Sequence, residues 1–400
     1  MAIPYLLGQQ GLAKQQQCCT SYSDLSGWGE PVFIISGKTG FNDRYSMYNQ
    51  VQALCHKYDR KFYAISTNRN AHNKFTYNPF KYADIQGVAD TMKSMAQFSD
   101  TYYESAFEFW VIVVNEIIDK ANILRTNSGE MPIQRSLPNI MRFFNWNSFK
   151  KAILELKEYS VIDTDEEDEY LSYKQFADVA WSSAPRFLKF LRGNSGSIFK
   201  GKDPVSVMDA KKEGAVFMLD LDGLMYKDFS HALGAMAISD LRTMISLEDD
   251  VESRKLIVLD ELSVFFSELL PDIYSQASGF GYQPVAGSQS FSDMDRISPD
   301  LAERMIENTQ IFGFLLQNSA KDCERCSQIM GTRKSSEVTR RLEGSSFEGT
   351  GSSKVIQKFK VHPDKIRALP PLHMFVYDKS RPEDPQLIKW DFLDLDLQSP

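Results

Sequence analysis

Short apolar runs separated by stretches of helical periodicity set the first expectation. Residues 32–36 (VFIIS), 215–221 (AVFMLDL) and 255–261 (KLIVLDE) are short, β-branched or aromatic, and followed by turn or helix signals. That is the pattern of strands buried on both faces. Residues 61–66 (KFYAIS) and 311–317 (IFGFLLQ) are two further strand candidates. Between them, 44–58 and 101–124 place apolar residues at helical spacing. Strand, helix, strand at these intervals predicts βαβ units and a parallel sheet.

The middle of the chain differs. From about 131 to 200 there is no strand-like run, and 148–159 and 173–192 read as amphipathic helices. Between them lies DTDEEDEY (163–170), six acids in eight residues, which reads as a solvated loop or helix face. GNSGSIFKGKDP (193–204) marks the exit. EGSSFEGTGSSK (343–354) is a second flexible stretch, and a β-like segment ends in HMFVYD (373–378). The expected organisation is an α/β domain in two parts, 1–130 and 201–378, with an all-helical insertion at 131–200. A polar tail, 379–400, is expected to be loosely held.

Composition narrows the classes. The chain has 400 residues, 42% hydrophobic and 24% charged, with a net charge of −8. A broad nucleic-acid face needs a basic excess, so any such contact is local or shared with other subunits. Five cysteines at 18, 19, 55, 323 and 326 form no disulfide framework and fit a reducing compartment. The longest apolar candidate, FEFWVIVVNEII, carries Glu108, Asn115 and Glu116 and is too short to span a bilayer. The start, MAIPYLLGQQ, lacks the layout of a signal peptide.

Candidate chemistry begins at VFIISGKTG, an apolar strand running into Gly-Lys-Thr. A phosphate loop needs G-x-x-x-x-G-K-[ST], and position 32 holds Val32 rather than glycine. The pattern therefore excludes a phosphate loop there. KLIVLDELSVFF is a stronger signal. Its strand ends in Asp260-Glu261, where an aspartate can hold the water shell of Mg²⁺ and a glutamate can polarise water. On the residues alone, a buried strand ending in an ordinary acidic turn fits equally. Gln289, in the turn ending YQPVAGSQS, has the chemistry to sense a terminal phosphate, though Gln in a Ser-rich turn is commonly just a turn. Cys323-x-x-Cys326 reads as part of a helix capped by Ser319, and no second cysteine pair follows. The five histidines form no ligand spacing.

Together, LIVLDELSVFFSELLPDIYSQASGFGYQPVAGSQSFSDM and MIENTQIFGFLLQNSAKDCERCSQIMG resemble the motor domain of the type IV coupling proteins. These are the TraD/TraG-type ATPases of conjugation and type IV secretion, related to FtsK- and HerA-like motors. VFIISGKTGFNDRYSMYNQVQALCHKYDRKFYAIS, YNPF (77–80) and VHPDKIRALPPLHMFVY (361–377) extend the resemblance over most of 30–378.

The resemblance implies a RecA-like P-loop NTPase fold, ATP with Mg²⁺ as cofactors, and catalytic roles for Asp260, Glu261 and Gln289, with Asp260 acting on the metal through its water shell. It places the phosphate loop at GQQGLAKQ, with Gly8, Gly11, Ala13, Lys14 and Gln15 in its positions. There Ala13 stands for a glycine and Gln15 for the metal-binding hydroxyl. Ser36 stands where the family has an aspartate, and Ser278 where it has an arginine finger. These departures imply weakened or absent ATP hydrolysis. The family also implies a hexameric ring, homo- or hetero-oligomeric, with secretion or conjugation components as partners and single-stranded DNA or a relaxase as cargo. This chain lacks the family's N-terminal membrane helices, so a cytoplasmic place is expected, peripheral to the inner membrane through partner subunits or a missing N-terminal segment. Three functions stand open: a degenerate coupling-protein ATPase, an active DNA or protein translocase, and a structural adaptor without nucleotide.

Overall fold

The computed structural model describes residues 4–7, 30–39, 46–96, 98, 100–340, 351–381 and 383–389. The strands, in chain order, are β1 (Pro4–Leu7), β2 (Val32–Ser36), β3 (Phe62–Ser66), β4 (Val216–Asp220), β5 (Lys255–Asp260), β6 (Tyr282–Ser288), β7 (Ile311–Phe314), β8 (Thr332–Arg340), β9 (Gly351–Phe359), β10 (His373–Asp378) and β11 (Gln386–Lys389). The described residues fall into two compact units, one within 30–284 and one made of 4–7 with 285–389.

In the larger unit, β5, β2, β4 and β3 lie side by side and are all parallel. Every residue of β2, β4 and β5 is buried. This explains why their sequences are continuous apolar runs rather than alternating ones. Helices connect the strands. Met47–Lys57 starts at Ser46, whose side chain accepts from the Asn49 N–H. Lys227–Ser246 buries small residues, among them Gly234, where a Cβ would come within 2.3 Å of Phe265 Cβ.

Residues 131–200 hold helices and, among the described residues, no strand. Their core forms against the long helix Thr101–Asn127, where Trp110 is fully buried and donates its Nε1–H to Phe144 O at 3.2 Å. Phe107, Phe144, Phe149 and Phe187 pack with it as an aromatic cluster. The acidic run forms the helix Thr164–Ser172, and Asp163 and Glu166 make a capping box. Carboxylates in a first helical turn meet the positive end of the helix, so the run has a local structural reason. The Tyr77-Asn78 turn ties this region's exit to the sheet domain: Tyr77 N–H donates to Ile198 O at 2.8 Å and Asn78 N–H to Val205 O at 2.9 Å.

In the smaller unit, the order is β11-β10-β7-β1-β6. β1 is parallel to β6 and β7, while β10 runs antiparallel to β7 and β11. A separate antiparallel ribbon, β8–β9, pairs Thr332↔Phe359 through Arg340↔Gly351. Two expectations are corrected here, and one strand is added. The segment 343–354, read as flexible, contributes its last residues to β9. The loosely held tail carries β11 at Gln386–Lys389, paired with β10. Strand β1 occupies a segment for which no element was expected. β11 and the ribbon are mainly solvated where their side chains are described, so backbone pairing holds them without an apolar pattern.

Candidate functional site

The parallel register brings the last residues of four strands into one row. Ser66 pairs with Asp220, Asp220 with Ser36, and Ser36 with Asp260. All four are buried. The carboxyl ends of strands are where open α/β sheets bind ligands. Asp260 and Ser36 were singled out from the sequence, whereas Asp220 and Ser66 were not. The signal for Asp220 was present, because AVFMLDL ends its apolar run in an acid just as KLIVLDE does.

Glu261, directly after β5, adopts a left-handed backbone, φ 60° and ψ 60°. For a residue with a Cβ this costs about 1–2 kcal/mol. Strain of this kind gathers at functional sites, where the surroundings enforce it. The Ser263 hydroxyl donates to Glu261 Oε1 at 3.0 Å. On the neighbouring strand, Gly37 N–H donates to Asp260 O at 2.9 Å. A Cβ on Gly37 would lie 2.8 Å from Glu261 O and from Val264 Cβ. Glycine is therefore what allows the exit of β2 to pass so close to the acid pair.

This gives the SGKTG turn a structural role. The Thr39 hydroxyl donates to Asp220 Oδ2 at 2.7 Å, as does the Ser66 hydroxyl at 2.6 Å. Lys38, exposed, forms a β-bridge with Asp222. Burial pushes the Asp220 carboxyl up to about 6, and Asp222 adds to the rise against the two hydroxyls. Its Oδ1 is buried with no hydrogen-bond partner among the described residues.

Gln289 lies in the smaller unit, exposed, one residue past the end of β6. Its predecessor Ser288 is the register partner of Leu7, the last residue of β1. Ser290 caps the helix Phe291–Asp295, which accounts for one serine of the turn. Gly8, Gly11, Ala13, Lys14 and Gln15 follow β1 in sequence and lie outside the described residues. Ser278 is exposed on a single turn of 3₁₀ helix, Ala277–Phe280, ahead of β6. Cys323 and Cys326 are buried on the helix Ala320–Met330, and burial raises both thiols. Among the described residues, no cluster of three metal-ligand side chains exists.

Comparison with known proteins places these features. Residues 254–371 match the family described as the TraM recognition site of TraD and TraG. The bacterial conjugative coupling protein TrwB, in an unbound form lacking its N-terminal segment, is 14% identical with a TM-score of 0.66. That match covers 100% of this chain and 86% of the other. TrwB in complex with ADP and Mg²⁺ is 12% identical with a TM-score of 0.56, covering 94% and 88%. VirB4 of Thermoanaerobacter pseudethanolicus is 12% identical with a TM-score of 0.55, covering 99% and 91%. The sequence matches no curated protein. The fold is the one these TrwB and VirB4 structures share.

Proposed function

We propose that this chain is a motor-type subunit of conjugative DNA transfer or type IV secretion with weak or absent ATP hydrolysis, a reading supported by the 254–371 match to the TraD and TraG family model and by the fold it shares with TrwB. The observation that carries this reading is Glu261, held in a strained backbone next to buried Asp260 at the end of a parallel strand. An acid pair kept at such a cost suits a metal–nucleotide site.

The residues present fit ATP and Mg²⁺ in part. TrwB binds ADP with Mg²⁺. In this chain Asp260 would supply the hard oxygen donor that Mg²⁺ takes, through its water shell. Glu261 would orient an attacking water, and Gln289 would read the terminal phosphate. Bound Mg²⁺ would neutralise charge on the phosphates. Lys14 would bind the phosphates, with Gly8 and Gly11 giving the loop its turns. Gln15 is longer than the Ser or Thr of the usual pattern and carries an amide, which suits octahedral Mg²⁺ poorly. Ala13 resists positive φ, and Ser278 carries no charge to a neighbouring site. The motor domain comprises 1–130 and 201–378, with 131–200 as a helical insertion.

The chain assembles with other subunits, as a homo- or hetero-oligomeric ring, and works with secretion or conjugation components. Among the described residues, no helix is long and apolar enough to cross a membrane. Contact with the inner membrane would run through partners or through a segment outside the given sequence. Calorimetry with ATP and Mg²⁺ tests the site: binding in the micromolar to millimolar range is expected, and loss of binding in Asp260→Ala. No binding by the unmodified chain would favour an adaptor that keeps only the fold.

A further inference from the structure

The β8–β9 ribbon carries an electrostatic imbalance that the motor reading does not use. Its described side chains, 332–337 and 353–359, include Arg333, Lys334, Lys354 and Lys358 against Glu337 alone, in a chain whose net charge is −8. Register puts Arg333 directly opposite Lys358. Like charges opposed across a ladder are destabilising. Glu337 and Lys354 are opposed two steps along, so one face holds three cations and one carboxylate. Arg333 pairs with Asp384 at 3.2 Å, and Lys358 with Glu337 at 3.4 Å. Both pairs are at least half exposed, so each is worth little and exchanges easily for another anion. Lys334 and Lys354 form no ion pair with a described residue.

We infer that the β8–β9 ribbon is a docking arm for the phosphate backbone of duplex DNA. A two-stranded ribbon fits the major groove, about 12 Å wide. Nine residues per strand span about 30 Å. Ser335, Ser336 and Ser353 add hydroxyls of the kind that contact phosphates. An acidic protein surface is the weaker occupant. Protein interfaces centre on aromatic or apolar anchors and are depleted in lysine, and among the ribbon's described side chains Val355 alone is a large exposed apolar one.

The test is fluorescence anisotropy of a labelled 30-base-pair duplex across a salt series, without nucleotide. The result is thereby separable from any failure of the hydrolysis reading. The full chain is compared with Arg333→Gln, Lys334→Gln, Lys354→Gln and Lys358→Gln combined, and with Lys150→Gln plus Lys151→Gln as a charge-loss control elsewhere. The ribbon variant should bind about tenfold or more weakly and lose about 0.9 of salt slope per phosphate contact removed. The control should stay within about twofold of the unmodified chain. Circular dichroism and thermal melting confirm that the variant is folded, since the altered side chains are exposed. Unchanged duplex binding in the ribbon variant overturns the inference. So does equal loss in the control, or equally tight, ribbon-dependent binding to poly-glutamate or to phosphatidylglycerol vesicles.

Discussion

Ser36 and Asp260 are register partners at the ends of adjacent parallel strands, and the Gly37 N–H ties the two ends together by donating to Asp260 O at 2.9 Å. A serine therefore stands beside the strand-end acid where the family resemblance sets an aspartate. With Asp220 on its other side, Ser36 separates two buried carboxyl groups. A third carboxylate between them would add like-charge repulsion in a buried row.

That packing makes Gly37 a sharp probe. Gly37→Ala would drive its Cβ to 2.8 Å from Glu261 O and Val264 Cβ, one of which is backbone. The variant is expected to lose about 1–3 kcal/mol, the usual cost of overpacking. Urea denaturation of the variant beside the unmodified chain measures it. A loss below about 0.5 kcal/mol would mean that the β2 exit does not pack as described.

Glu261 separates strain from chemistry. Replacing it with glycine should raise stability by about 1 kcal/mol, because glycine enters the left-handed region freely. Glu261→Gln keeps the strain and should show no such gain. Thermal melting of the two variants gives the comparison. Equal stabilities would remove the strain argument for the site.

Asp240 predicts a pH dependence. It is fully buried, and accepts from Tyr77 Oη at 2.9 Å and Val207 N at 3.1 Å. Burial raises its carboxyl to about 8, against those two hydrogen bonds. The folded state then holds a proton that the unfolded chain releases near pH 4. The stabilising contribution of this group is complete below pH 4 and is lost as pH rises toward 8. Asp240→Asn, which keeps an acceptor for both donors, should flatten the fall in urea midpoint between pH 5 and 8. An unchanged slope would show that Asp240 is already ionised in the folded chain.

The helical region at 131–200 rests on Trp110. Trp110→Ala removes the centre of an aromatic cluster and should cost about 3–5 kcal/mol. Loss of near-ultraviolet dichroism with the strands' hydrogen-exchange protection retained would show that this region opens separately from the sheet.

Much of this arrangement was legible in the sequence because burial dictates it. The runs at 32–36, 216–220 and 255–260 could hardly avoid a two-sided core, and Asp260 marked the end of its strand. Asp220 was missed although it ends an equivalent run, because no acid follows it to form a pair. β1, with four residues starting at Pro4, is too short to show a period. The β8–β9 ribbon and β11 are polar because their described side chains are mainly solvated, and a backbone ladder leaves no apolar trace. Asp163 could have been read as a helix start from its Glu three residues on. The phosphate-loop positions 8–15 lie outside the described residues, so their roles rest on resemblance.

The central claim is that this coupling-protein fold has lost most of its hydrolytic power through its loop and finger positions. Steady-state phosphate release at saturating ATP and Mg²⁺ measures it most directly, on the unmodified chain and on Ala13→Gly, Gln15→Thr and Ser278→Arg combined. Release near background is expected from the unmodified chain, with a gain in the combined variant that adding Glu261→Gln abolishes. Turnover of about 1 s⁻¹ or faster by the unmodified chain, typical of working enzymes, would contradict the account.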